Sequence, residues 1–276
     1  MGGLYPSGEC DECWQRFRMG VWKGMTTTQE HTMRAKSIKI HSSAGGEFDC
    51  YLAKPERTTL APAVVLASAV HGVDGDLIGI ADEIAANGYI VAAPDLFWRT
   101  IPGPLGQDDD RTKQRSQPRL EKIKQGEMDM TDTLRYLANL PEFNGRAIAM
   151  GFCYGGPYAI LGPKRLGYAA GISCHGSQML DYIRELESVS EPVCILWGDH
   201  DHRAPPDVLD AYRGLASRKQ NVELHIFAGV EHGYMMPGTS HAFDPHAREF
   251  SMNCALKMLG DMLSSSDARR LVQFGF

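Results

Sequence analysis

The sequence predicts an α/β fold, a mainly parallel central sheet of about eight strands with helices on both faces. Three observations carry that reading. Short apolar runs alternate with segments of helical period along the chain. One run, Ala63-Val64-Val65-Leu66-Ala67, is apolar throughout, as a strand buried on both faces must be. With 276 residues at 43% hydrophobic, the chain is long enough to bury one large core.

The elements follow in order. Lys36 to Ile40 and Phe48 to Leu52 alternate around Ala44-Gly45-Gly46, which predicts an antiparallel hairpin at the sheet edge. After the Ala63 strand, Ile80 to Asn87 reads as a helix that Gly88 closes before the strand Tyr89 to Ala93. Ile101 to Gly126 holds Pro102-Gly103-Pro104 and Asp108-Asp109-Asp110 and is expected to be a solvated loop, or else a lid over a pocket. It leads into a helix carrying Met130, Leu134 and Leu137. Ala147 to Met150 is a short buried strand, and Pro157 opens the next helix. Tyr168 to Ser173, Ile195 to Gly198 and Leu224 to Phe227 are further strands. Met252, Leu256, Leu259 and Leu263 recur at helical spacing as the core face of a final helix.

Residues 1–24 differ from the rest, being rich in glycine and aromatics without a period. Cys10 and Cys13 lack the further nearby ligands a zinc site needs and the strand-to-helix setting a redox pair needs. The segment is expected to be an irregular or non-native extension, with Met25 or Met33 as alternative starts, ahead of a single domain over 25–276.

A net charge of −6 gives no electrostatic reason to expect nucleic acid or an anionic membrane as partner. Charged residues interrupt every apolar run too early for a membrane span, and the N-terminus has no apolar signal core, so a cytoplasmic protein is expected. Seven cysteines, an odd number spread through the predicted elements, suit reduced thiols. No cofactor and no metal is expected, and the protein is expected to be a monomer or homodimer.

The most informative stretch is Gly151-Phe152-Cys153-Tyr154-Gly155-Gly156. It sets one cysteine between glycines where a strand turns into a helix, the setting of a nucleophile elbow with thiol in place of hydroxyl. A buried cysteine acting as a small hydrophobe is the alternative. Downstream, Asp199-His200-Asp201-His202 and Glu231-His232-Gly233 each lie in a loop beyond an apolar strand. The order Cys153, Asp201, His232 is that of nucleophile, acid and base in α/β-hydrolases, and open parallel sheets place their chemistry at these strand ends. Asp199 competes for the role of acid, and a metal bound by the Asp199 to His202 run with His232 is a further alternative.

With these motifs and Pro94-Asp95-Leu96-Phe97-Trp98-Arg99, the chain resembles the dienelactone hydrolases from about Ala35 to Leu263. The resemblance implies an α/β-hydrolase fold with a Cys-Asp-His triad, acting on a small-molecule ester or lactone through a thioester. His232 would take the thiol proton, and Asp201 would fix the imidazole tautomer. The backbone N–H groups of Tyr154 and, by resemblance, Val70 would hold the oxyanion. Arg99 matches one of the two arginines that grip a substrate carboxylate in that family, while Met236 stands where the second would be. Ala69 replaces the family's glutamate beside the oxyanion loop. His71, Trp98, His175 and Tyr234 are expected to line the pocket, with core packing as the alternative for each. Competing functions are a carboxylesterase or thioesterase of unrelated substrate range, a non-catalytic small-molecule binding protein of this fold, and a redox protein using Cys153 with Cys174.

Overall fold

The computed structural model describes residues 33–56, 59–117, 119–239 and 241–264. The expectations for residues 1–24, Cys10 and Cys13 among them, lie outside these.

Eight strands form one sheet: β1 (Met33–His41), β2 (Glu47–Pro55), β3 (Ala61–Ala67), β4 (Ile90–Pro94), β5 (Phe143–Phe152), β6 (Ala170–Cys174), β7 (Val193–Gly198) and β8 (Val222–Phe227). Their order across the sheet is β1-β2-β4-β3-β5-β6-β7-β8. β1 pairs antiparallel with β2, and β2 with β4; all other pairings are parallel. Among the described residues the α-helices are α1 (Gly75–Ala86), α2 (Arg111–Ser116), α3 (Arg119–Ala138), α4 (Gly156–Leu166), α5 (Ile183–Leu186), α6 (Val208–Arg218) and α7 (Pro245–Ser264).

Side-chain alternation along the central strands splits the core into two layers. Val65, Ala149 and Ile195 pack with Met130, Tyr158 and Tyr212 of α3, α4 and α6. Val64, Leu66, Ile148 and Leu196 face the other way, onto Ile80 of α1 and Leu259 of α7. Burial on both faces is why β3 and β4 carry no polar position, while β1, on the edge, is mostly exposed and β2 beside it alternates. Truncating a fully buried residue such as Ile80 to alanine is expected to cost about 2–5 kcal/mol.

Four expectations are corrected. α1 starts at Gly75, before Ile80, because Asp74 caps it by accepting from Leu77 N at 3.0 Å; Gly75 and Gly79 weaken the local helical signal. The stretch from Ile101 to Gly126 is no plain loop, since it contains α2 and the first turns of α3. β6 runs from Ala170, because Tyr168 N is spent on Gly162 O at 3.4 Å at the end of α4. On α7 the buried stripe is Met252, Ala255, Leu259 and Met262, and Leu263 is 52% exposed. The helical period favours 262 over 263 once 255 and 259 are inward.

Candidate active site

β5 ends in Phe152, and Cys153 follows at φ 48°, a left-handed conformation that costs a residue with a Cβ on the order of 1–3 kcal/mol. The residues two positions to either side must be glycines. A Cβ on Gly151 would lie 2.1 Å from Gly155 O, and one on Gly155 would lie 1.9 Å from Ala67 O. The turn is therefore pressed against the end of β3, with Ala67 in register with Gly151. α4 starts directly after it, and Cys153 is left half-buried.

That contact also brings up the loop after β3. Gly72 N bonds Ala69 O at 3.0 Å, a tight turn with Val70 and His71 at its centre. Arg115, fully buried, braces it from behind. Its guanidinium donates to the carbonyls of Val70 (3.3 Å), Ile101 (2.5 Å) and Gly103 (2.8 Å) and lies over the Phe97 ring at 4.7 Å. Phe97 in turn meets Tyr154, with ring centroids 4.9 Å apart. The candidate oxyanion donors Val70 and Tyr154 thus belong to loops locked to adjacent strands. His71 is half-buried and donates no side-chain bond through its buried Nδ1.

At the other end of the site the loops after β7 and β8 are zipped together. Asp199 N bonds Phe227 O at 3.0 Å, His200 N bonds Val230 O at 3.1 Å, and Asp199 Oδ1 accepts from Gly229 N at 2.7 Å. Asp199 is thus exposed and committed to holding the loops. Asp201 has a fully buried carboxylate whose Oδ2 lies 2.7 Å from His232 Nδ1 and whose Oδ1 accepts from Arg203 N at 3.0 Å. His200 and His202 stack on each other in the exposed loop, centroids 5.9 Å apart. Among the described residues, that run does not gather three metal-binding atoms with His232.

Asp201 occupies Nδ1, so Nε2 is the ring atom left for the thiol. Nε2 is buried and closes no hydrogen bond of standard geometry, yet Cys153 is both a Coulombic and a hydrogen-bonding neighbour of the ring. Burial, the largest single influence, opposes a charged imidazole. Cys153 and Asp201 together outweigh it and push His232 up to about 10.

The loop after β6 fills the gap between the two ends. Ser177 N bonds Cys153 O at 2.9 Å, and the Cys153 Sγ to Ser177 Oγ distance is 3.9 Å. Sequence reasoning missed Ser177; its one signal is its position just past Cys174-His175-Gly176 at the strand end. His175 is buried, at φ 40°, and packs edge-on against both His232 (4.9 Å) and Tyr234 (5.2 Å). Burial, with the charge of His232 second, holds its imidazole well below the usual range.

The other residues expected to line the pocket make the following contacts within the protein. Arg99 Nη1 donates to Asp129 at 2.7 Å, Nη2 donates to Ser42 Oγ at 2.8 Å, and the guanidinium lies 4.1 Å over Trp98. Trp98 Nε1 donates to the same Asp129 oxygen at 3.1 Å. Burial pushes Asp129 up to about 6, with Arg99 pulling the other way. Tyr234 is fully buried, its hydroxyl 2.9 Å from Ser251 Oγ, and Met236 is buried in the same layer. Ala69 is half-buried against that layer. Cys174 is buried, its thiol raised by desolvation, with Tyr234 as a neighbour. No helix among the described residues is long and apolar enough to cross a membrane.

Strand order and elbow are those of an α/β-hydrolase, and comparison with known proteins narrows the class. The family model of the dienelactone hydrolase family matches residues 48–263. Carboxymethylenebutenolidase 1 of Cupriavidus pinatubonensis is 26% identical over 231 residues, covering 82% of this chain and 97% of its own length. Carboxymethylenebutenolidase of Pseudomonas sp. strain P51 is also 26% identical, over 236 residues, covering 83% and 97%. A solved dienelactone hydrolase-like promiscuous phosphotriesterase from metagenomic libraries superposes with a TM-score of 0.70 at 16% identity, over 83% of this chain and 98% of its own. The chain belongs to the dienelactone hydrolase family and is a hydrolase of that kind.

Proposed function

We propose that the protein hydrolyses a small lactone or activated carboxylic ester through Cys153 and a thioester acyl-enzyme. The observation that carries this reading is the 2.7 Å Asp201–His232 contact beside a cysteine held at positive φ on the elbow. A thiol needs only a nearby base to become a strong nucleophile.

In the reaction, His232 holds the thiol proton as Cys153 Sγ attacks the acyl carbon. The oxyanion is received by the Tyr154 and Val70 N–H groups. The proton passes from His232 to the leaving oxygen, giving the thioester and a free hydroxyl, which stays on the same molecule when the substrate is a lactone. His232 then deprotonates a water that attacks the thioester, and the thiol departs with the proton restored. Asp201 keeps Nε2 directed at the sulfur throughout.

The carboxymethylenebutenolidase relatives support a lactone. Burial of Met236 and engagement of Arg99 by Asp129 favour a weaker demand for a substrate carboxylate than two free arginines would impose. The test is mass spectrometry of the intact protein quenched during turnover of p-nitrophenyl acetate and of a panel of unsaturated lactones. An acyl adduct on Cys153, absent from Cys153→Ala, is expected. Turnover that survives Cys153→Ala, or an inert protein across the whole panel, would reject the reading, the latter in favour of a binding protein.

A further inference from the structure

Away from the catalytic rim, β7, β8 and α7 bring together Cys194, His225 and Cys254. Their ligand-capable atoms all lie within 4.8 Å of one another. We propose that these three residues form a binding site for a thiophilic divalent cation of the zinc class, separate from the hydrolytic centre.

Topology explains the gathering. Cys194 pairs in register with Glu223 across the parallel β7–β8 ladder, and His225 lies two residues further on the same face. α7 crosses that face and delivers Cys254. Cys194 is four residues before the end of β7, on the order of 13 Å from the rim where Asp201 begins its loop.

The donor set determines the ion. Two thiols and an imidazole are the ligands of zinc sites, whereas magnesium and calcium demand oxygen. Both cysteines are free thiols and close neighbours of one another, so no disulfide competes in this structure. The His225 Nε2 atom is buried without a hydrogen-bond partner. The Glu223 carboxylate lies 3.6 Å from it and could reach a fourth ligand position by side-chain rotation. Phe250 walls the imidazole at 4.8 Å between centroids. Bonds of about 2.3 Å to sulfur and 2.0 Å to nitrogen require the ligand atoms to close by roughly 1 Å, a matter of side-chain rotation. Cys254 and His225 are half-buried, which leaves an entry path. Binding displaces the thiol protons, so affinity must fall as pH is lowered.

The test is cobalt titration of the reduced full-length protein after chelator treatment. A sulfur-to-cobalt charge-transfer band saturating at one equivalent and removed by zinc is expected. It should survive in Cys153→Ser and in the double variant Cys10→Ser with Cys13→Ser. Cys254→Ser and His225→Ala should each weaken cobalt binding by about 100-fold or more. Should those variants lose their fold by circular dichroism, zinc protection of Cys194 and Cys254 in the wild type from alkylation provides the same reading. Absence of the band, its loss in the Cys10 and Cys13 variant alone, or a zinc-insensitive alkylation rate would overturn the proposal. So would a ready Cys194–Cys254 disulfide that forms in air while cobalt goes unbound, which would mark a redox pair.

Discussion

His175 stands edge-on to His232, the two rings 4.9 Å apart at 68°, so the base of the proposed triad has a second imidazole as its immediate neighbour. Their surroundings act on the two rings in opposite senses. Burial keeps His175 neutral, while Cys153 and Asp201 lift His232 to about 10 against its own desolvation.

A pH signature follows. Because the folded-state value of His232 lies above its ordinary 6.5, its stabilising contribution is complete below pH 6.5 and is lost as pH rises towards about 10. Cys153 is the largest of the influences raising it, so Cys153→Ala should flatten this decline. Melting temperatures of both proteins across that window check the point, and parallel curves would contradict it.

The two aspartates of the β7 loop separate by role. Asp201→Asn presents the wrong hydrogen-bonding partner to Nδ1 and is expected to lower kcat by roughly 10⁴-fold. Asp199→Asn retains an oxygen acceptor for Gly229 N and should change kcat by no more than about threefold, at a stability cost below about 1 kcal/mol. Steady-state kinetics on an aryl ester decides it; the assignment fails if Asp199→Asn is the more damaged.

Arg115→Met leaves the carbonyls of Val70, Ile101 and Gly103 without their donor in a buried setting. A stability loss on the order of 3 kcal/mol in urea unfolding is expected. Loosening of the Val70 turn should also lower kcat by up to about 100-fold with KM nearly unchanged. An unaltered kcat in folded protein would detach Arg115 from the oxyanion loop.

Gly155→Ala would force a methyl to 1.9 Å from Ala67 O, backbone against backbone. The elbow and β3 must separate, with an expected loss of about 3 kcal/mol or more and no measurable turnover. Gly145→Ala, at positive φ but with open space around it, should lose far less, about 1 kcal/mol, and keep its activity. Comparable losses at both positions would remove the case for a steric lock.

Much of this was legible because it depends on local pattern. Apolar runs marked the strands from Ala63 to Leu224, and glycine spacing marked the elbow. The family resemblance favoured Asp201 over Asp199 as the acid, and Asp201 is the carboxylate beside His232. What stayed hidden depends on convergence in space. Arg115 sits in a run of charged residues that looks solvated, and nothing local reveals three carbonyls closing on it. Arg99 carried its expected motif, but Asp129, its partner, lies on α3 with no sequence mark of the pairing. Cys194, His225 and Cys254 come from three separate elements, and no spacing rule connects them.

The narrow fit of Gly151 and Gly155 against backbone oxygens means that the shape of the turn is set by main-chain packing. Position 153 is a socket machined by its surroundings, into which an alcohol could be fitted as readily as a thiol. Scaffold and side chain are therefore separable at this position, and exchanging the sulfur for oxygen should leave the architecture intact.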